Sequence, residues 1–452
     1  MDNRIQRFSA IEYGLILLCF SVCLTGALLL PVNQCPDEFV RDHLITWMLE
    51  HGTLPTGDEL ETFALNPPPG ENYGFSYALR PYLPAMVGAL FARAAAVFTD
   101  SPRVLLLATR MCSVLSVTGC CCFCLLLGHK IFEKRSSSIL FATLVCFLPQ
   151  VMFLGMYHNN DSLTLFAVSM MLYYLVEGYE RKWPVRCCIG LAVAFSLGLL
   201  SYYSIYGWIL MCAVFCVLAV LKDPAISDKG RLILIRAGLI GGICLLLAGW
   251  FFIRGAILHN GDFLGIAYEN VSRARVEALG YKLFTYVCYR RDGLSMLEFF
   301  RVKNYEWLRM TVQSFVGVFS NMTLFLPELL YGVYYAIFAF GILRMVAVLL
   351  RRKPCRRDGL LMLVMAVSVG INIALHFWQS YARDYQPQGR YVITIILPLA
   401  FMLAYGADKT TVTVRDAKPG KTAVLNPAAA LIVLWLTLFV WAAFGTMIRM
   451  IR

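Results

Sequence analysis

"PVNQCPDEFVRDHL", residues 31–44, follows a run of seventeen mostly apolar residues from Gly14 to Leu30. Asp37, Glu38, Arg41, Asp42 and His43 then arrive within seven positions. An apolar run of that length crosses most of a hydrocarbon layer of ~30 Å as a helix, so the charges fall where the chain leaves a bilayer. From Asp37 to Glu50 the pattern "DEFVRDHLITWMLE" sets Phe39, Val40, Leu44, Ile45, Trp47, Met48 and Leu49 at roughly helical spacing. That spacing predicts an amphipathic helix lying in the plane of the membrane surface. Asp37 and Glu38 start this helix one residue after Pro36, where acids suit the positive end of the helix dipole, and Arg41 stands one turn on as a partner for Asp37. A carboxylate at a membrane face is also partly desolvated, a setting that tunes it for accepting a proton. Both readings of Asp37 stand at this level.

The remainder of the chain supports the bilayer. Of 452 residues, 59% are hydrophobic and only 15% charged, with a mean hydropathy of +0.66; soluble domains carry about 25% charged residues. Apolar stretches lie near 13–30, 103–128, 137–156, 162–179, 187–202, 203–221, 232–256, 328–350, 359–378, 390–407 and 425–447, with a shorter one at 81–98. They predict an all-α, polytopic transmembrane protein of about 11–13 spans with in-plane helices on its outer face, residues 1–452 forming one polytopic domain. The first apolar run lacks a small-residue cleavage site and reads as a retained helix.

The net charge is +12, but its distribution argues against a nucleic-acid partner. Basic residues cluster at Arg4 and Arg7, at "HKIFEKR" (129–135), at "LRRKPCRR" (350–357) and at Arg415, Lys418 and Lys421. Short basic loops beside apolar runs mark the cytoplasmic side and meet anionic lipid. That assignment places 31–80, 157–161, 257–326 and 379–389 outside, with 31–80 and 257–326 as the two large extracytoplasmic loops; "NPPPGENYG" (66–74) breaks the first of them. It also leaves a parity conflict: 81–98 and 103–128 give two crossings where an odd number is needed, which is relieved if 81–98 is re-entrant or in-plane. Most of the sixteen cysteines, "CCCFC" (120–124) included, lie inside apolar runs and read as small apolar residues.

Polar residues gather on the outer side. In "MYHNNDSL" (156–163) five consecutive side chains, Tyr157 to Asp161, can hydrogen-bond between two apolar runs. Asp161 is placed as an N-cap, yet five such groups exceed what a cap requires. Arg80, Arg254 and Arg390 stand alone at the outer ends of spans. Each can snorkel; together they suit a phosphate, whose oxygens match guanidinium forks. Tyr77, His158, Asn160, Tyr202, Gln388 and Tyr391 complete a candidate substrate-binding set around them. Acids beside a phosphate imply group transfer, in which a base takes a proton from an acceptor hydroxyl while cations stabilise the leaving phosphate.

An acidic pair after the first helix, "HGTLP" (51–55), "RPYLPAMVGALF" entered through Arg80, "NNDSL", "WFFIR" with "GDFLG" (250–265) and "QGRYVITIILPLA" (388–400) follow one another in an order that resembles the GT-C superfamily of polytopic glycosyltransferases. The similarity is to bacterial members related to protein O-mannosyltransferases and aminoarabinose transferases. It implies a multi-pass protein of the cell membrane, with an extracytoplasmic active site and usually inverting chemistry. The implied partners are a polyprenyl-phosphate-linked sugar donor, a glycan, lipid or protein acceptor of the cell envelope, and the bilayer itself. By motif position Asp37 is the general base, Glu38 supports the site and Asp161 lines it, while Arg80, Arg254 and Arg390 contact phosphate. Relatives often read Asp-Glu-x-x-His; here Arg41 stands at the His position and His43 two residues later. Tyr202 stands near the position where many relatives carry a Lys. No cofactor is implied with certainty: some members use a divalent metal and others do not. A flippase or transporter for lipid-linked sugars is the alternative, and it calls for polar residues running through several spans.

Overall fold

The computed structural model describes residues 7–65, 74–410, 412–415 and 422–451; the expected break at 66–73 lies outside them. With no water to satisfy backbone groups in hydrocarbon, apolar runs become helices, and the chain is helical nearly throughout. α1 (Ala10–Leu29) starts at a capping box between Ser9 and Glu12 and ends before Pro31. The amphipathic α2 (Glu38–His51), α3 (Leu83–Ala96) and α4 (Pro102–Ile131) follow. α5 (Arg135–Cys146) and α6 (Pro149–Leu154) are one apolar traverse interrupted at Pro149, because proline cannot extend the helical ladder. α7 (Asp161–Glu180), α8 (Val185–Leu199) and α9 (Tyr206–Leu221) come next. α10 (Lys229–Cys244) runs through a π turn into α11 (Trp250–Leu258). A long connection carries α12 (Tyr268–Ala278), α13 (Met296–Arg301) and α14 (Glu306–Gly317). α15 (Glu328–Arg351), α16 (Arg356–Ala382), α17 (Ile396–Asp408) and α18 (Pro427–Gly445) close the bundle.

Among the described residues nine helical stretches are long and apolar enough to cross a membrane. The broken α5–α6 traverse and α8 are shorter apolar passes, which brings the total to eleven. The protein is therefore an all-α, multi-pass membrane protein. Its centre is formed by α7 and the stretch 389–408, whose apolar windows are 78% and 83% buried, whereas α10–α11 lies at the edge with 6% buried.

Charged loops sort by end. At one end Lys130 meets Glu177 and Glu180, Arg357 meets Glu180, Lys409 meets Glu133, and Arg135 meets Glu12. These are the basic loops read from the sequence as cytoplasmic. At the other end α2, the turn before α7, the 258–327 connection and the turn before α17 come together through Arg390–Asp37, Arg80–Glu269 and Ser320–Gln34 contacts.

The parity conflict resolves at α3. Arg110 donates to the carbonyls of Ala27 and Leu30 at the end of α1, at 2.8 and 2.7 Å, so the turns of α4 before Arg110 project past that end. α3 doubles back beside those turns: a Cβ on Gly88 would lie 3.0 Å from the Thr109 carbonyl oxygen and 3.3 Å from Ile45 of α2. Its fourteen residues, about 21 Å of helix, thus lie mostly beside the part of α4 that projects past the end of α1. Only α4 crosses, as the in-plane reading of 81–98 requires, and the hairpin tip presents Val97 and Phe98 at 77% and 88% exposure.

All sixteen cysteines are free. Cys19, Cys121 and Cys146 converge from α1, α4 and α5 with their sulfurs within 4.8 Å, and the groups acting on them are other thiols. All three are buried, and the sulfurs pack as small apolar groups.

Candidate active site

The first turn of α2 sends its two acids in different directions. Asp37 precedes the helix with a left-handed backbone (φ 58°) and makes no capping bond to it. The helix dipole therefore does not explain this residue: a non-glycine held at positive φ carries a cost that structures tolerate mainly at functional sites. Its carboxylate instead accepts from Arg390 Nη2 at 2.5 Å, across 353 positions of sequence. Burial opposes its ionisation, but the charges of Arg390 and Arg41 and a hydrogen bond from Tyr77 outweigh it and hold the carboxyl below its usual range.

Glu38 turns inward and is consumed. Arg110 grips both of its oxygens, at 2.9 and 2.6 Å, and the His158 amide donates to it at 2.7 Å. With Arg110 also holding the end of α1, this pair locks α1, α2, α4 and the turn before α7 together. The supporting role expected for Glu38 is thus one of position, with neither oxygen available to a substrate.

Arg390 is aimed by the residue before it. A Cβ on Gly389 would fall 2.2 Å from the Phe315 amide nitrogen and 2.3 Å from the Thr311 carbonyl oxygen, so only glycine lets this turn press onto α14. There the Gly389 amide donates to Ser314 Oγ at 2.7 Å. Arg390 is 3% exposed, lies with its guanidinium carbon 5.1 Å from the Tyr391 ring, and keeps Nε and Nη1 without a protein partner.

In the "NND" turn each residue has a separate task. Asn159 Oδ1 accepts from the Ser162 amide at 2.9 Å and so caps α7, while its Nδ2 ties back to the Leu154 and Tyr157 carbonyls. Asn160 Nδ2 donates to the Ser201 and Pro81 carbonyls at 2.8 and 3.2 Å. Capping by Asn159 leaves the Asp161 carboxylate, 4% exposed, facing the charges of Arg390, Arg41 and Asp37. Asp161, expected as the N-cap, is instead the first residue of α7; the N-cap is Asn160, whose side chain is a staple between loops, and the capping bond comes from Asn159. His158 is buried, and burial with Arg41 and Arg110 nearby pushes its imidazole down to about 3, so it is neutral.

Arg41 is the residue the sequence reading undervalued. Its charge acts on Asp37 through space, but the direct partner of Asp37 is Arg390. Arg41 is 4% exposed, its guanidinium lies 4.3 Å from the Tyr77 ring centre, and Nε and Nη1 have no protein partner. Its i+4 spacing from Asp37 was the signal; of the two readings open from sequence, direct pairing along the helix is not the one the structure shows. Tyr157, whose buried hydroxyl has no partner either, belongs to the same cluster.

Of the three outer arginines expected to share a ligand, the structure brings only Arg390 to the acids. Arg80 stands behind the Tyr77 ring, 5.7 Å from its centre, and is paired with Glu269 at 3.2 Å. Arg254 donates to the Leu54 carbonyl at 2.8 Å and anchors the loop after α2; among the charges acting on Asp37 and Asp161 it does not figure. Tyr202 and Tyr391 stack at 5.9 Å with ring planes 8° apart. Gln388 Nε2 donates to Gln386 while its buried Oε1 is unpartnered, and Gln386 reaches Asp384 at 2.8 Å.

This arrangement sets a half-buried carboxylate, Asp37, and a buried one, Asp161, beside two buried guanidiniums with aromatic rings around them, at one end of a helical bundle. The fold resembles that of solved membrane glycosyltransferases. ArnT of Cupriavidus metallidurans in the apo state aligns with a TM-score of 0.52 at 14% identity over 89% of this chain and 61% of its own. The same protein bound to undecaprenyl phosphate aligns with a TM-score of 0.50 at 12% identity, over 88% and 60%. The oligosaccharyltransferase of Archaeoglobus fulgidus, tethered to an acceptor peptide, aligns with a TM-score of 0.52 at 11% identity over 95% and 54%. The chain thus spans 54–61% of the length of these proteins, and the likeness is one of fold. By sequence it belongs to the family of predicted membrane proteins DUF2142, whose model matches residues 73–400. No curated protein matches it by sequence.

Proposed function

We propose that this protein is a glycosyltransferase that moves a sugar from a polyprenyl-phosphate-linked donor to a hydroxyl of a cell-envelope acceptor, at the extracytoplasmic face of the membrane. The observation that carries the reading is the pairing of buried, incompletely bonded guanidiniums, Arg41 and Arg390, with the carboxylates of Asp37 and Asp161. Buried N–H groups without acceptors are costly, and a phosphate headgroup supplies the oxygens they lack. The ArnT structure with undecaprenyl phosphate and the oligosaccharyltransferase with an acceptor peptide support a lipid phosphate and a separate acceptor on this fold. That the polar cluster gathers at one end, and does not continue through the spans, favours chemistry over transport.

In this reading the acceptor oxygen attacks the anomeric carbon. The bond from that carbon to the phosphate oxygen breaks, its electron pair leaves with the polyprenyl phosphate, and the acceptor proton passes to Asp37. A single displacement of this kind inverts the anomeric centre. Arg41 and Arg390 stabilise charge growing on the phosphate. Arg390 now rests on Asp37; an arriving phosphate competes for it, and its withdrawal makes Asp37 a stronger base. Asp161 lines the acceptor side, Tyr202 and Tyr391 offer ring faces to sugar, and Tyr77, with Arg41 and Arg80 against its ring, holds Arg41 in place. Gln388 offers its free amide oxygen to a sugar hydroxyl.

Membranes holding the protein, supplied with radiolabelled polyprenyl-phosphate sugars, are expected to pass label into glycan, glycolipid or protein. Asp37→Asn is expected to lower that transfer by about 10²- to 10⁴-fold while binding of undecaprenyl phosphate persists. Full transfer by Asp37→Asn removes Asp37 as the base, and no transfer from any such donor by the wild type rejects the reading.

A further inference from the structure

Metal use divides the superfamily that this chain resembles, and the donor set here does not fit a divalent ion. Calcium takes six to eight oxygens and zinc four ligands. Magnesium keeps waters and needs only one or two carboxylates beside a substrate phosphate, so what opposes it here is the positive charge around the carboxylates. This site offers two carboxylates, one of which already accepts from Arg390. Among the described residues no three His, Cys, Asp or Glu ligand atoms converge here; the group that does is Cys19, Cys121 and Cys146, in the core. The His158 imidazole is flanked by Arg41 and Arg110, whose charges repel a cation.

Net charge gives the same result. Asp37 and Asp161 against Arg41 and Arg390 sum to zero. A dication would add two uncompensated positive charges to a buried site, which is unfavourable without paired anions. An anion instead meets four guanidinium nitrogens, Nε and Nη1 of Arg41 and of Arg390, that lack protein partners. Tyr77 covers a face of Arg41, leaving the in-plane N–H donors as the ones that can be offered, the geometry in which a guanidinium grips phosphate.

We infer that Arg41 and Arg390 do in this protein what a divalent ion does elsewhere, so that a lipid phosphate is held by guanidiniums alone and without metal. The inference rests on the lipid-phosphate reading above. It is tested on the purified full-length protein in detergent, with undecaprenyl phosphate as the probe, by measuring binding after exhaustive EDTA treatment and again with Mg²⁺ or Mn²⁺ restored. Equal affinity in the two conditions is expected. Arg41→Gln is expected to weaken binding by roughly tenfold or more in both. Arg41→Lys, which keeps the charge and serves as a folding control, is expected to melt like the wild type and to bind between the two. Wild-type binding that is lost in EDTA and regained with metal overturns the inference and leaves the lipid-phosphate reading intact. So does Arg41→Gln binding as tightly as the wild type in EDTA. Absence of binding in every condition rejects the lipid-phosphate reading itself.

Discussion

Two ends of this bundle bury carboxylates beside cations, and they do so differently. At the basic end Glu12 is fully buried and five donor contacts reach its two oxygens: Ser9 at 2.6 and 2.9 Å and Arg135 at 3.0 and 2.7 Å on Oε2, and His129 at 2.5 Å on Oε1. At the other end Asp37 and Asp161 share their surroundings with two guanidiniums that keep unpartnered nitrogens. Paired charge is common to both; what differs is whether buried guanidinium N–H groups are left without acceptors. A saturated cluster holds helices in place, and an unsaturated one is built for something that arrives. The Glu38–Arg110 pair shows how local the distinction is, because it is saturated and sits one residue from Asp37.

The largest expected effect comes from breaking a saturated pair. Arg110→Met leaves Glu38 buried and uncompensated, at a cost of about 3–5 kcal/mol, seen as a lowered melting temperature in detergent and poor recovery of folded protein. Arg41→Gln is expected to change stability far less, since it removes a charge that no protein group fully pairs. Equal melting of these two variants would erase the contrast between structural and functional arginines.

Gly389→Ala tests the device that aims Arg390. The added methyl meets backbone atoms at 2.2 and 2.3 Å, so the turn must lift off α14 at a cost of about 1–3 kcal/mol. Undecaprenyl phosphate binding is expected to fall although no site side chain has changed, and unaltered binding would show that Arg390 is placed by other contacts. Glu12→Gln takes the contrast to the far end. It weakens several charge-assisted bonds, costing about 1–3 kcal/mol of stability, and leaves phosphate-lipid affinity at the wild-type value; a fall in that affinity would couple the two ends.

The smallest effect is on α2 itself. Asp42 lies behind Glu38, and burial together with that neighbouring carboxylate, opposed by Arg110, pushes its carboxyl up to about 6. A raised folded-state value means that the folded protein holds this proton more tightly than the unfolded chain. Stability from this group is therefore present in acid and is lost as pH rises through about 6. Asp42→Asn is expected to stabilise by about 1 kcal/mol at pH 7 to 8, after allowance for partial exposure, and by nothing at pH 4. Melting curves at the two pH values decide it, and an equal gain at both would assign the effect to packing.

Much of the architecture was legible because lipid enforces it. Apolar runs had to become helices, the basic loops had to gather at one end, and the amphipathic pattern from Phe39 to Leu49 had to lie along an interface. Pro149 splitting a span was also readable, although the run 137–156 masked it with continuous hydrophobicity. The parity conflict at 81–98 could be stated but not decided, since it turned on Arg110 reaching the carbonyls at the end of α1. Of the polar residues, Asp37, Asp161 and Arg390 meet as the motif order suggested. Arg254 and Asn160 instead secure loops, and Arg41 enters the cluster in place of a distant arginine.

Hydrophobicity, helix length and loop charge are properties of local sequence, and they by themselves determined that this chain is a helical, many-pass membrane protein with its acids and isolated arginines on one side. Which of those ionisable groups are satisfied, and which are left with open bonds, depends on partners tens to hundreds of residues away. Asp37 was indistinguishable from a helix-start acid until its carboxylate turned to Arg390, and Arg41 from a helix-surface cation until Tyr77 and burial set it apart. Only the packing of the bundle decides where hydrogen-bonding capacity remains unused, because a bond to a remote residue leaves no local trace in the chain.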